Sequence, residues 1–185
     1  MKTTLENIRE HLPCSDGWAK LLTYLGKTKA DDEPLSVVTI LDSNGLDDAL
    51  WALRAVDGHD REPRLYAVWC ARRVQHLMTD QRSIDALDVA EQHAKGQATD
   101  EQLAAARSAA EAAWASSWAA SEAADAAAEA AAWTAAEAAS RGAVWAAGAA
   151  ARAVEGAAEI EAQAAELRRV CECIEVGIDP YPREG

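Results

Sequence analysis

Residues 99–142, TDEQLAAARSAAEAAWASSWAASEAADAAAEAAAWTAAEAASRG, decide the fold of this 185-residue chain. Thr99 followed by Gln102 is a capping box, in which each residue satisfies the other's orphan helix-end groups. From Leu103 to Ala139 there is neither Gly nor Pro, and residues 104–165 hold 34 Ala in 62 positions. Alanine is the strongest helix former, so the tract reads as helix. On a wheel of about 100° per residue, Arg107, Glu111, Trp114, Trp118, Glu122, Asp125, Glu129 and Trp133 fall within one arc of about 100°. The opposite side holds little except Ala, Ser and Thr, including Ala127 and Ala131, which permits close approach of a second helix.

A straight helix over 100–140 would be about 60 Å long, more than a compact chain of this size accommodates. The spacing therefore predicts an antiparallel hairpin that turns at Ser140-Arg141-Gly142, with arms of about 100–140 and 143–176. On the second arm Arg152, Glu155, Glu159, Gln163 and Glu166 form a polar stripe, and Ile160, Leu167, Cys171 and Ile174 an apolar seam.

Residues 1–98 read as about six short, separately capped helices. Thr3 with Glu6 marks the first, its face carrying Leu5, Ile8 and Leu12. Ser15 or Asp16 opens the second, and Gly26 closes it. Pro34 suits a first helical position, and Asn44-Gly45 a stop; the stretch with Val37, Ile40 and Leu41 is β-branched enough for a strand, but with no partner strand evident it reads as helix. Pro63 starts a helix through Trp69 and His76, and Ser83 caps one that ends at Gly96. The expected fold is all-α: a helical bundle over 1–98 and an Ala-rich hairpin over 99–185 packed on it.

The formal net charge is −13, and the surplus is concentrated after residue 98. Binding to nucleic acid needs a basic footprint, so direct nucleic-acid binding is not expected. Charges interrupt every apolar run long enough to span a bilayer. Residues Met1–Glu10 lack the apolar core of a signal peptide, which points to a cytoplasmic protein.

Motifs for chemistry are sparse. Cys171 and Cys173, two apart on a helix, point in nearly opposite directions and cannot grip one metal. Cys70 and Cys171 fit better as small core residues. Asp57-Gly58-His59-Asp60 combines an imidazole with carboxylates but reads as a solvated turn. Arg72, Arg73 and His76 could hold an anion or pair with the acidic tract. With no nucleophile motif, phosphate loop or HExxH pattern, no enzyme, cofactor or metal is expected. Ice binding is excluded by the lack of regularly spaced Thr.

Three quoted strings carry a resemblance: LSVVTILDSNGLDDALWALRAVDG (35–58), RLYAVWCARRVQHLMTDQRSIDALDVAEQHAKGQATDEQLAAA (64–106) and ELRRVCECIEVGIDPYP (166–182). With the variable Ala-rich tract between the last two, they resemble an alanine-rich family of bacterial and phage genomes designated immunity proteins, similar to all-α immunity proteins of polymorphic toxins. The resemblance implies neutralisation of a cognate toxin by direct binding and supplies no residue-level site. The residues themselves nominate Glu111, Trp114, Trp118, Glu122, Asp125 and Glu129, because Trp is enriched in binding hot spots and carboxylates steer a basic partner. Whether those Trp side chains face a core or a partner stays open, as does pairing of two copies. The alternative is a phage-type anti-defence protein whose carboxylate rows imitate nucleic acid and block a nuclease. Its charge spacing is, however, far sparser than the one charge per about 1.7 Å of duplex DNA. A coiled-coil assembly role would need a longer heptad seam than Ile160–Ile174 supplies.

Overall fold

The structure, a computed structural model, describes residues 1–116, 122–135, 139–154 and 157–182. The fold is all-α. Among the described residues are ten α-helices, two short 3-10 turns and a two-stranded ribbon. The contacts divide the chain into two compact units, residues 1–59 with 164–180 and residues 60–163 with 181–185. These limits do not match the expected boundary at residue 98.

The first unit contains α1 (Leu5–Glu10), α2 (Ser15–Leu25), α3 (Val37–Asn44), α4 (Leu46–Ala52) and the C-terminal part of α10 (Ala157–Glu175). The first helix is capped one residue later than the Thr3/Glu6 pattern suggests: the Thr4 side chain accepts from Asn7 N. Thr3 is instead buried, and its hydroxyl donates to Ala55 O. It lies in β1 (Lys2–Thr3), which pairs antiparallel with β2 (Leu35–Ser36), Thr3 opposite Leu35. Val37, Ile40 and Leu41 lie in α3, as expected of a helix there, and Pro34 precedes the short strand rather than opening that helix. Ser36 then caps α3 through Val38 N. Leu12 also leaves its expected face. The helix ends at Glu10, the position before Pro13 disfavours right-handed helix, and Leu12 sits at φ 56°, 86% exposed. Gly26 and Gly45 close α2 and α3 as expected, both at positive φ.

In the second unit α5 (Arg61–Arg73) and α6 (Gln81–Ala94) pack with the alanine-rich helices α7 (Asp100–Ser116), α8 (Glu122–Thr134) and α9 (Ala139–Ala153), and with the start of α10. The expected Ser83 cap is supplied by Asp80, which accepts from Arg82 N at 2.9 Å, while Ser83 is buried. The Arg82 guanidinium, bonded to the same carboxyl, holds Asp80 down at about 2. Ahead of α7 the capping box forms as read: Gln102 N donates to Thr99 Oγ1 at 3.3 Å, and Thr99 N to Gln102 Oε1 at 2.8 Å.

Among the described residues the tract runs as four helices of 17, 13, 15 and 19 residues rather than as two long arms. Gly142, where the turn was expected, lies inside α9, and α8 ends at Thr134. The physical reason is visible in α8, which packs against α5, α6, α7 and α9. Ala127, Ala130 and Ala131 are completely buried, and Ala126, Ala128, Ala132 and Ala135 nearly so. A protruding hairpin would cover one face of each arm. Short helices packed on several sides cover alanine on more than one face, as expected where the apolar surface is wider than a single stripe. Each methyl contributes little, about 1 kcal/mol at most, so many must be buried together.

The expected polar stripe of the second arm also turns inward. Glu159 and Gln163 are buried at 6% and 1% exposure. Gln163 Nε2 donates to Ala147 O at 3.0 Å, and Tyr66 Oη donates to Gln163 O at 3.1 Å. Of the expected seam, Leu167 and Cys171 are buried but Ile160 is half exposed. Glu155 lies outside the described residues.

Candidate functional site

Two hollows share a wall in the second unit. One, of ≈ 410 Å³, is lined by Arg64, His93, Asp100, Leu103, Ala104, Arg107 and Ala135. The other, of ≈ 330 Å³, is lined by Asp60, Arg61, Arg64, His93 and Ala94. Arg64 belongs to both and is only 6% exposed, on a stretch of α5 that is buried from Pro63 to Val68. Burial pushes its guanidinium down from the ordinary arginine range, while the charges of Asp60 and Asp100 act the other way.

His93 stands across from it at the end of α6. Its Nε2 lies 2.8 Å from Asp100 Oδ1. Its Nδ1 is buried and, among the described residues, meets no hydrogen-bond partner. Arg107 completes the wall and bonds Glu111 through Nε at 2.8 Å. Arg61, on the neighbouring hollow, bonds Glu62 and the carbonyl of Tyr181. The lining offers guanidinium and imidazole nitrogen inside and carboxylates toward solvent.

In the first unit a smaller cavity of ≈ 90 Å³ is walled by Trp18, Trp51, Leu21, Ile40 and Ile8, with Asn44 and Asp48 at its polar edge. Asn44 Nδ2 bridges Gly17 O at 2.8 Å and Asp48 Oδ2 at 2.7 Å. A side chain at residue 17 would bring Cβ to 2.7 Å from that carboxylate, which explains Gly17. One face of Trp51 is already occupied, with the Arg54 guanidinium 4.5 Å from the ring centroid.

Of the residues nominated from sequence, Glu111, Trp114 and Glu129 lie in different surroundings. Glu111 is exposed on α7 and paired with Arg107. Trp114, half buried, packs with Ala106 against Ala86, Ala110 and Ala132. Glu129, on α8, is turned toward α9, where it pairs with Arg152 and accepts from Trp133 Nε1 at 3.4 Å. Trp133 stacks on Trp145 at 5.4 Å. Trp118, and the side chains of Glu122 and Asp125, lie outside the described residues. Arg72 and Arg73 are tied to carboxylates: Arg72 to Asp88 and Glu91 on α6, Arg73 to Glu159 at the start of α10. Cys70 and Cys171 are fully buried.

Sequence reasoning missed Arg64, His93 and Asp100. The signal available was a lone cation inside the apolar run PRLYAVWCA, residues 63–71. The turn at Gly96, with φ 75°, brings His93 against Asp100 seven residues on. Comparison with protein-family models, with curated proteins and with solved structures finds no match. Among the described residues no helix is long and apolar enough to cross a membrane.

Proposed function

We propose that this chain is an immunity-type protein that neutralises a toxin in the cytoplasm by direct protein–protein binding through an acidic helical surface. The resemblance of its three quoted strings to alanine-rich immunity proteins supplies the role. The observation that carries the surface is the internal commitment of its cations. Lys27, Arg72, Arg73, Arg82, Lys95, Arg107, Arg152, Arg168 and Arg169 each face a carboxylate of the same chain. With a net charge of −13, the exterior is left with a surplus of carboxylates. Such a surface accelerates encounter with a basic partner and disfavours acidic ones.

The exposed flank of α7 suits that contact best. Ala104, Ala105, Ser108, Ala112 and Ala115 are exposed and small, so a partner can approach the backbone closely, and Glu101 and Glu111 supply charge along the same helix. Trp114 contributes from behind, as packing. The reading assigns no catalytic group and no cofactor.

The test is retrieval of partners with the full chain as bait in its native host, followed by assay of the toxin recovered. Stoichiometric inhibition, with association slowed several-fold by salt and by Glu101→Gln plus Glu111→Gln, is the expected result. Trp114→Ala should lower the melting temperature of the free protein. A retained partner whose activity is unaffected, or binding that ignores salt and both Glu changes, overturns the reading.

A further inference from the structure

We propose that the pocket between α2, α3 and α4 binds a primary ammonium on a slender alkyl stem, the chemistry of a lysine side chain or a free alkylamine, with the charge at Asp48 and the stem against Trp18 and Trp51. This goes beyond toxin binding and does not depend on it. The floor of the pocket is apolar and closed, with Ile8, Leu21, Ile40 and Ala52 all buried. Trp18, Trp51 and Asp48 are only partly buried, so solvent reaches the space past them. Its ≈ 90 Å³ is about the share of three liquid waters and below the roughly 150 Å³ that takes up a benzene. The end of an unbranched chain fits; a ring does not.

The polar edge selects the sign of the ligand. Asp48 Oδ2 accepts from Asn44 Nδ2 at 2.7 Å, a neutral donor that leaves the charge of the carboxylate and its remaining lone pairs in place. Among the described residues no cation pairs with Asp48. The cations of the same elements are directed elsewhere: Lys20 donates to Asn44 O at 3.3 Å, and Arg54 donates to Trp51 O at 2.8 Å and lies over the Trp51 ring. Neither lines the pocket. Asp16 and Asp47, exposed in the first turns of α2 and α4, add charge of the same sign. Tryptophan is the best aromatic partner for a cation. An alkyl stem laid along the two indoles leaves water while its ammonium stays at the wet edge, as lysine side chains do on apolar surfaces. A charged donor to a carboxylate makes a stronger bond than a neutral hydroxyl, which separates an amine from an alcohol of the same shape.

The experiment is an NMR titration of the full chain at about pH 7, where primary amines are protonated. The probes are n-butylammonium and Nα-acetyl-lysine methylamide, with n-butanol as the neutral counterpart and sodium chloride at matched ionic strength as the control. The expected result is a saturable shift of the indole N–H signals of Trp18 and Trp51, with Trp133 and Trp145 of the other unit unmoved. Tighter binding of the lysine derivative would identify a protein side chain as the source, and tighter binding of butylammonium a free amine; both support the site. Asp48→Asn keeps the shape and should weaken both amines by about 5-fold while leaving butanol unchanged. Gly17→Ala is the second variant. It favours the helix, yet its Cβ would stand 2.7 Å from Asp48 Oδ2 and displace that carboxylate, so it should weaken the amines in a protein that keeps its folded spectrum. If Asp48→Asn does not fold, Gly17→Ala decides alone. Butanol binding as tightly as butylammonium, a shift reproduced by sodium chloride or shared by Trp133 and Trp145, or unchanged amine affinity in the folded variants overturns the proposal.

Discussion

Arg73 lies across both oxygens of Glu159, its Nε 2.9 Å from each and its terminal nitrogen 2.8 Å from Oε2. The carboxylate is 6% exposed and the guanidinium 41%. Glu159 also accepts from Gln163 Nε2 at 3.2 Å, and the Arg73 guanidinium stacks 4.9 Å from the Trp69 ring centroid. The start of α10 is thereby fixed to α5 by a nearly dry anion that keeps one wet cation as its partner.

Removing the cation should therefore cost more than neutralising the anion. Arg73→Ala strands a buried carboxylate, and a loss of about 3 kcal/mol in unfolding free energy is expected. Glu159→Gln keeps the hydrogen-bonding shape and should lose about 1 kcal/mol. Denaturant unfolding of the two single variants and the double variant gives the coupling between them. Equal, small losses would show that the pair behaves as an ordinary surface contact.

What the sequence made legible, and what it hid, can be traced to particular residues. The Thr99/Gln102 box could be read because capping is local and reciprocal. The all-α class could be read because alanine leaves no doubt about local preference. How far each helix runs could not. An alanine wheel shows which side lacks large groups, but in α8 the neighbours occupy several sides, so the polar arc on which the long arms rested is divided among different contacts: Glu111 to solvent, Trp114 to the Ala86 cluster, Glu129 to Arg152. The Arg64–His93 hollow was hidden for a related reason. It is assembled from three helices, and only the cation within an apolar run betrays it before the chain is folded.

Alanine size at the centre of α8 can be tested directly. Ala127 and Ala131 have no exposed surface, so replacing either with Leu inserts three carbons into a closed interface. A loss of about 1–3 kcal/mol is expected for each. Ala112→Leu, on the exposed flank of α7, should change stability by no more than about 0.5 kcal/mol. Melting temperatures of the three variants decide the point: a drop in the α7 variant alone would mean that α8, not α7, carries the free face.

The buried Cys171 thiol predicts an alkaline weakness in the first unit. Burial, with smaller effects from Glu175 and Glu172, pushes it up to about 11 from an ordinary 9.0. The unfolded chain then loses this proton at lower pH than the folded one. Between about pH 9 and 11 the native state binds more protons, so stability falls as pH rises, and below that window the contribution is fully present. Two pH units correspond to roughly 2–3 kcal/mol at the alkaline end. Lysines and tyrosines titrate in the same range, so the informative quantity is the difference between wild type and Cys171→Ala. The variant loses some packing at all pH values but should show the shallower decline above about pH 9. Thiol-reactive reagents at neutral pH should label the exposed Cys14 readily and leave Cys171 untouched until the protein unfolds. Identical alkaline slopes in the two proteins, or rapid native-state labelling of Cys171, would show that this thiol is not sealed in the core.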